Sequence, residues 1–519
     1  MSDRTPASVD TTGCSVALSL VSHTNVGKTA LARTLLGRDI GEVRDAPHVT
    51  EFNEVHTLVE TAAGERLCLW DTPGFGDTVR LVKRLRAGER PIVRFLGETW
   101  DRWRDRGFWA SQQAVRNLRD DADLLLYLVD ASQSPDAAGY VAPEMELLGW
   151  IGKPVVVLPN QLGAPAVDGS DDDAARWRRA LAGVAIVRAV LPLDAFARCW
   201  VQELTLLRAV ADALPAERRP AMARLGAAWR ERREQTFLAA MRAVASGVAR
   251  TALATETVAD RADLKTRLRQ AGAAIGIGKA DDTPTALAQR ALAERLDAEA
   301  RADTVALIRL HGLGGSAERD IVDRLATEYD LRLRVDEANA AVWGGAVTGA
   351  LMGLKADVLS GGLTLGGGLL TGGILGALGG AGIARGVNLV RGTDRSLVAW
   401  KAETLDAVVD AALLRYLAVA HFGRGRGDWA RSESPAHWRD VVAAALAPHR
   451  AALAAAWAER AIGGSDDAAN AAAVEALAVR IEPIVRDAAW QALRRLYPQS
   501  DMASVAPENA RAAATASMP

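Results

Sequence analysis

An excess of charge of either sign is missing from this chain: 62 Lys and Arg stand against 64 Asp and Glu in 519 residues, a formal net charge of -2. No global basic field exists to gather polyanions, so no nucleic-acid partner is expected. Cysteine is scarce. Cys14, Cys68 and Cys199 are far apart, with no CxxC pair. That spacing excludes a disulfide framework and fits a reducing compartment. The seven histidines form no HExxH or comparable metal pattern. Aromatic residues make up 5% of the chain, and abundant Ala, Leu and Arg favour helices over a β-rich fold. The first 14 residues are polar, lack the apolar core of a signal peptide and read as a flexible start. A cytoplasmic location is therefore expected, at most at the inner face of the cell membrane.

The length calls for two or more domains. Residues 15–215 alternate short apolar runs (15–21, 67–70, 124–130, 154–158 and 184–190) with helical patterns. Uninterrupted apolar runs of that length suit strands buried on both faces, the mark of a mostly parallel, doubly wound α/β sheet. The stretch 58–61 would add one antiparallel edge strand, and a helix over 196–214 would close the domain. Residues 216–340 read as helical, with segments at 221–254, 285–310 and 317–340. Helical character returns over 387–498, in 396–421, 436–460 and 468–496, and 499–519 reads as a disordered tail.

Between these helical regions lies a glycine-rich apolar segment, 341–386. Gly345, Gly349 and Gly353, then Gly368, Gly372, Gly376 and Gly380, recur at every fourth position, and 358–384 carries no charge. On a helix that spacing makes a smooth stripe for close backbone packing. In water each glycine costs roughly 1 kcal/mol of helix propensity. Two readings stand: a hairpin that meets membrane lipid, or one buried within a helical domain.

The chemistry is concentrated near the N-terminus. Ser22-His-Thr-Asn-Val-Gly-Lys-Thr29 follows the first apolar run and opens a helical pattern. In that context Asn25, Val26, Gly27, Lys28, Thr29 and Ala30 form a phosphate loop: backbone N–H groups at a helix N-terminus face anionic oxygens, Lys28 neutralises them, and the Thr29 hydroxyl ligates Mg²⁺. Asp71-Thr-Pro-Gly74 follows the second buried run. Its carboxylate can join the Mg²⁺ shell, and the Gly74 N–H can meet a terminal phosphate. Thr50, in Pro47-His-Val-Thr50, suits a threonine that ligates Mg²⁺ only when that phosphate is present. Asn160 and Gln161, after the 154–158 run, fall where a nucleotide base would be read.

With these residues in view, the domain resembles the Era- and TrmE-like P-loop GTPases. The GxPNxGKS loop of that family is matched at Asn25, Gly27, Lys28 and the Thr29 hydroxyl; its PGTT switch at Pro47 and Thr50; its DTPG in full. The resemblance implies binding of GTP and GDP with Mg²⁺, and slow intrinsic hydrolysis. It also puts Asn25 where related enzymes help bind K⁺. The layout as a whole resembles a bacterial family in which such a domain is fused to a glycine-rich helical domain of unknown function.

Three positions depart from that pattern. Ser22 replaces the first loop glycine; serine can take the turn there at some conformational cost, which weakens the match. Phe75 replaces the glutamine that orients water in Ras-like enzymes. Asn160-Gln-Leu-Gly163 lacks the aspartate of Asn-Lys-x-Asp that accepts from guanine. Asp168 is a candidate substitute, Asp77 a candidate polar group near the attacking water, and His23 a loop-lining side chain rather than a base. The insertion 79–117, with Trp100, Trp103 and Trp109 among arginines, reads as a helical cap. The expectation is a weak or partner-stimulated GTPase acting as a switch, with a protein partner or a second copy as effector. The rivals are a membrane scaffold with a nearly inactive nucleotide domain, and an ATP-binding regulator.

Overall fold

The computed structural model describes residues 13–37, 54–76, 78–86, 91–97, 106–160, 173–193, 199–258, 284–313, 387–391, 396–421, 437–460 and 467–498. They fall into two compact units, one built on Met1–Gln235, His421–Glu433 and Gln499–Pro519 and the other on Thr236–Ala420 and Ser434–Pro498.

The first unit is a sheet of β1 (Val16–Ser22), β2 (Glu54–Glu60), β3 (Arg66–Asp71), β4 (Leu124–Asp130), β5 (Val155–Asn160) and β6 (Val187–Val190), in spatial order β2-β3-β1-β4-β5-β6. Every pairing is parallel except β2 with β3. The antiparallel edge strand is thus present and longer than the sequence suggested. Strand β4 shows why the apolar runs do not alternate. Leu124, Leu126 and Leu128 pack on one face with Leu31 and Leu35. Leu125, Tyr127 and Val129 pack on the other, with Val115 and Leu148. Each such aliphatic side chain taken from water contributes about 1.5–3 kcal/mol, so both faces are anchored and the carboxyl ends of the strands are held rigidly.

Helices α1 (Lys28–Leu36), α2 (Thr78–Leu85), α3 (Pro91–Gly97), α4 (Arg106–Asp120), α5 (Val141–Ile151), α6 (Asp173–Leu181) and α7 (Trp200–Ala213) cover the sheet. The described residues after the DTPG turn form α2, α3 and α4, and Phe95 and Phe108 bury their rings in the same core. Helix α8 (Arg219–Leu253) starts against the first unit, where the indole of Trp229 donates to Glu203 at 2.9 Å and Arg233 pairs with the same carboxylate at 2.8 Å.

Two expectations fail in physically informative ways. Cys14 and Cys68 form a disulfide, with Cα atoms 5.9 Å apart. Fifty-four residues separate them in sequence, but the parallel pairing of β1 with β3 sets Ala17 opposite Cys68. The segment leading into β1 therefore runs beside β3. The cysteine pattern gives no support to a reducing compartment. In the second unit, Ser396–Trp400 is a strand, not the start of a helix. It is the middle of an antiparallel sheet formed by β7 (Thr255–Val258), β8 (Val387–Arg391) and β9 (Ser396–Trp400), in order β7-β9-β8. Val398, Ala399 and Trp400 are fully buried. Pairing on both edges and burial override the helical preference of the neighbouring sequence.

The rest of the second unit is helical: α9 (Pro284–Leu310), α10 (Ala402–Ala420), α11 (His437–Leu446), α12 (Arg450–Ala458) and α13 (Asp467–Leu496). The segments 317–340 and 341–386, and the tail 499–519, lie outside the described residues. So the membrane reading and the buried reading of the glycine-rich hairpin both fall on residues that are not described. Among the described residues, the stretch His437–Ala458 is long and apolar enough to cross a membrane by length and composition alone, a test that the core helix of a soluble protein also passes.

Candidate nucleotide site

Strand β1 is flanked by β3 on one side and β4 on the other, so the loop at its carboxyl end opens where the strand order switches direction. Open α/β sheets place ligands at such a point. The loop Ser22–Gly27 turns through two left-handed residues, Asn25 at φ 66° and Gly27 at φ 97°. Ser22 is not one of them: it is the last residue of β1. The conformational cost expected of serine at this position is therefore absent.

Gly27 is needed for space as well as angle. A Cβ there would come within 2.8 Å of the Asn160 amide nitrogen, which donates to the Val26 carbonyl at 2.8 Å. Asn160, fully buried at the end of β5, thus fastens the loop from across the sheet. Helix α1 begins at Lys28 with no side chain capping its N-terminus. The positive end of the helix dipole, with Lys28, Thr29 and Ala30 in its first turn, faces the loop.

The charges in this loop are buried. Lys28 is 7% exposed and Asp71 2%. The Lys28 ammonium donates to Ser22 Oγ at 3.0 Å, and the Thr29 hydroxyl donates to Asp71 Oδ2 at 2.7 Å. Burial lowers the Lys28 pKa from its ordinary value, against the pull of the Asp71 and Glu144 carboxylates. Burial also pushes Asp71 up to about 6, despite the Thr29 bond and the Lys28 charge. The two therefore do not satisfy each other. Asp71 Oδ1 is buried with no hydrogen-bond partner among the described residues. Each charge would be relieved by a ligand of opposite sign, an anion at Lys28 and a cation at Asp71.

The DTPG turn is docked on the loop. Phe75 donates its N–H to the Ser22 carbonyl at 3.0 Å, and Thr24 donates to the Phe75 carbonyl at 3.1 Å. A Cβ on Gly74 would lie 2.9 Å from Lys28 Nζ and 3.0 Å from Thr24 Cα. The Phe75 ring is fully buried in the core. Of the predicted site residues, the structure brings together Asn25, Val26, Gly27, Lys28, Thr29, Ala30, Asp71, Gly74 and Asn160. Thr50, Asp77, Gln161, Gly163 and Asp168 lie outside the described residues.

Glu144 in α5 is a site residue that the sequence motifs do not point to. It is fully buried and bonded to His23 of the loop. The available signal was its position: Val141, Glu144, Met145 and Leu148 share one helix face, with an acid among apolar residues.

Comparison with known proteins agrees with this geometry. Residues 17–161 match the family described as "50S ribosome-binding GTPase". Residues 328–479 match one described as a domain of unknown function, DUF3482. Residues 17–161 therefore form a P-loop GTPase domain. GTPase Der of Mycobacterium tuberculosis is 27% identical over 165 residues, 32% of this chain and 29% of that protein. GTPase Der of Bartonella henselae is 26% identical over 164 residues, 31% of this chain and 28% of its own length. The chain thus spans less than a third of these curated relatives. Aquifex aeolicus Era, solved with GDP·AlF4⁻, aligns over 38% of this chain and 56% of its own, at 17% identity and TM-score 0.26. In the described part of the GTPase domain, Ser22 stands at the first glycine of the GxPNxGKS loop and Thr24 at its proline.

Proposed function

We propose that the GTPase domain binds GTP and GDP with Mg²⁺ and hydrolyses GTP slowly, as a nucleotide-dependent switch for the helical domain. The observation that supports this most strongly is the pair of opposed buried charges, Lys28 and Asp71, each held away from its ordinary pKa by burial. In this reading Lys28 and the first turn of α1 hold the phosphates, and Asn160 keeps the loop in shape for them. Thr29, Asp71 and Thr50 would hold Mg²⁺. The unpartnered Asp71 oxygen beside a hydroxyl is the hard-oxygen donor set that ion takes. Bound there, Mg²⁺ would offset charge on the phosphates. Asn25, left-handed and exposed at the loop tip, would be the residue that helps admit K⁺. Gly74 would offer its N–H to the terminal phosphate, and Gln161 would lie near the base. A membrane contact through 341–386, or a protein partner, would receive the switch.

Gly74→Ala should weaken GTP binding by about tenfold or more, because the new methyl meets backbone at Thr24 as well as Lys28 Nζ. Equilibrium titration with a non-hydrolysable GTP analogue checks this; unchanged affinity would mean that the turn gives way.

The buried Phe75 ring favours a second reading, a membrane scaffold whose nucleotide domain barely turns over. Single-turnover GTP hydrolysis, with and without lipid vesicles and in K⁺ or Na⁺, separates the two. The switch reading expects measurable hydrolysis that lipid or K⁺ accelerates. No turnover under any condition would leave the scaffold.

A further inference from the structure

The Glu144 carboxylate, 0% exposed in the first turn of α5, collects three donors from three different segments. His23 of the phosphate loop reaches Oε1 at 2.9 Å. The Thr78 hydroxyl, at the head of α2, donates to the same oxygen at 3.2 Å. The Tyr127 hydroxyl on β4 donates to Oε2 at 2.7 Å. The His23 ring is also stacked on Tyr140, with centroids 4.7 Å apart and an angle of 19° between planes.

We infer that Glu144 is a positioning residue that clamps the head of α2 to the phosphate loop, through Thr78 on one side and His23 on the other, and so holds Gly74 ready for a terminal phosphate. The inference rests on the reading of this loop as a GTP site. The two clamped segments are the ones that meet through the Ser22–Phe75 and Thr24–Phe75 backbone bonds. They also bring Gly74 against Lys28 Nζ. Thr78 lies four residues after Gly74, so a side-chain bond there fixes the far end of the turn. Tyr127 is different: it ties the same carboxylate to the sheet and touches neither segment's backbone in the bonds described. GDP lacks the phosphate that Gly74 would meet. Loosening the turn should therefore penalise GTP and spare GDP.

The test measures affinities of the full chain for a non-hydrolysable GTP analogue and for GDP, together with melting temperature. Thr78→Val keeps the side-chain shape and removes the donor. It should lower the ratio of GTP-analogue to GDP affinity by about tenfold, the scale of one hydrogen bond to a charged group, while GDP affinity stays within about twofold. Thr78→Ser should restore the ratio. Tyr127→Phe should lower the melting temperature and leave the ratio alone. Equal losses for both nucleotides in Thr78→Val, an unchanged ratio, or an equal shift in Tyr127→Phe would each overturn the clamp. Failure of the wild-type chain to bind either nucleotide would instead overturn the reading on which it rests.

Discussion

Replacing Lys28 with alanine lowers affinity for GTP by about a thousandfold, and an equilibrium titration with a fluorescent GTP analogue shows it. Lys28 is the buried cation of the loop, with its ammonium on Ser22 Oγ and Asp71 nearby. Truncating one partner of a buried, hydrogen-bonded charge pair costs about 2–5 kcal/mol, and each 1.4 kcal/mol is about tenfold. The upper part of that range applies because the negative phosphates would lose their counter-charge where burial already weakens solvation. The nucleotide-free fold should suffer much less, since burial already disfavours the lysine charge. Retained affinity within about tenfold of wild type would contradict the assignment of the site.

Phe75→Gln destabilises the GTPase domain and does not accelerate hydrolysis. Restoring the glutamine of Ras-like enzymes would seem a gain of catalytic machinery. In this chain, however, position 75 points into the core with Leu81, Phe95 and Tyr127. A large aromatic side chain lost from such a site costs about 3–5 kcal/mol, and an amide left without partners there adds to it. The melting temperature should fall by roughly 10 °C for a unit of this size. Thermal denaturation and single-turnover hydrolysis together check this. An unchanged melting temperature with faster hydrolysis would show that the side chain can swing out to the nucleotide.

What the sequence made legible follows from local physics. The β4 run is apolar throughout because both sheet faces are covered, and it folds with the bounds expected, Leu124–Asp130. The phosphate loop was legible because glycine and a following helix leave few alternatives, and Gly27 does take a left-handed angle. Other features depend on partners distant in sequence. The Cys14–Cys68 bond needs the register of β1 on β3. Strand β9 needs β7 and β8 on its two sides. The effect of Ser22 was misjudged because the turn begins after it, and its hydroxyl turns out to hold Lys28. Glu144 was silent because nothing in its helix names the three segments it joins. Phe75 was read as a lost catalytic group; its burial adds that the position belongs to the core.

Every role assigned to Lys28, Thr29, Asp71 and Asn160 requires Mg²⁺-dependent binding of a guanine nucleotide at the loop between β1 and α1. The most direct measurement is competitive titration of the wild-type chain with a fluorescent GTP analogue, displaced by GTP, GDP or ATP, with Mg²⁺ and after its chelation. Binding is expected at micromolar concentration or tighter, displaced by GTP and GDP well before ATP, and weakened for the triphosphate when Mg²⁺ is removed. No binding, displacement by ATP as readily as by GTP, or indifference to Mg²⁺ would contradict it.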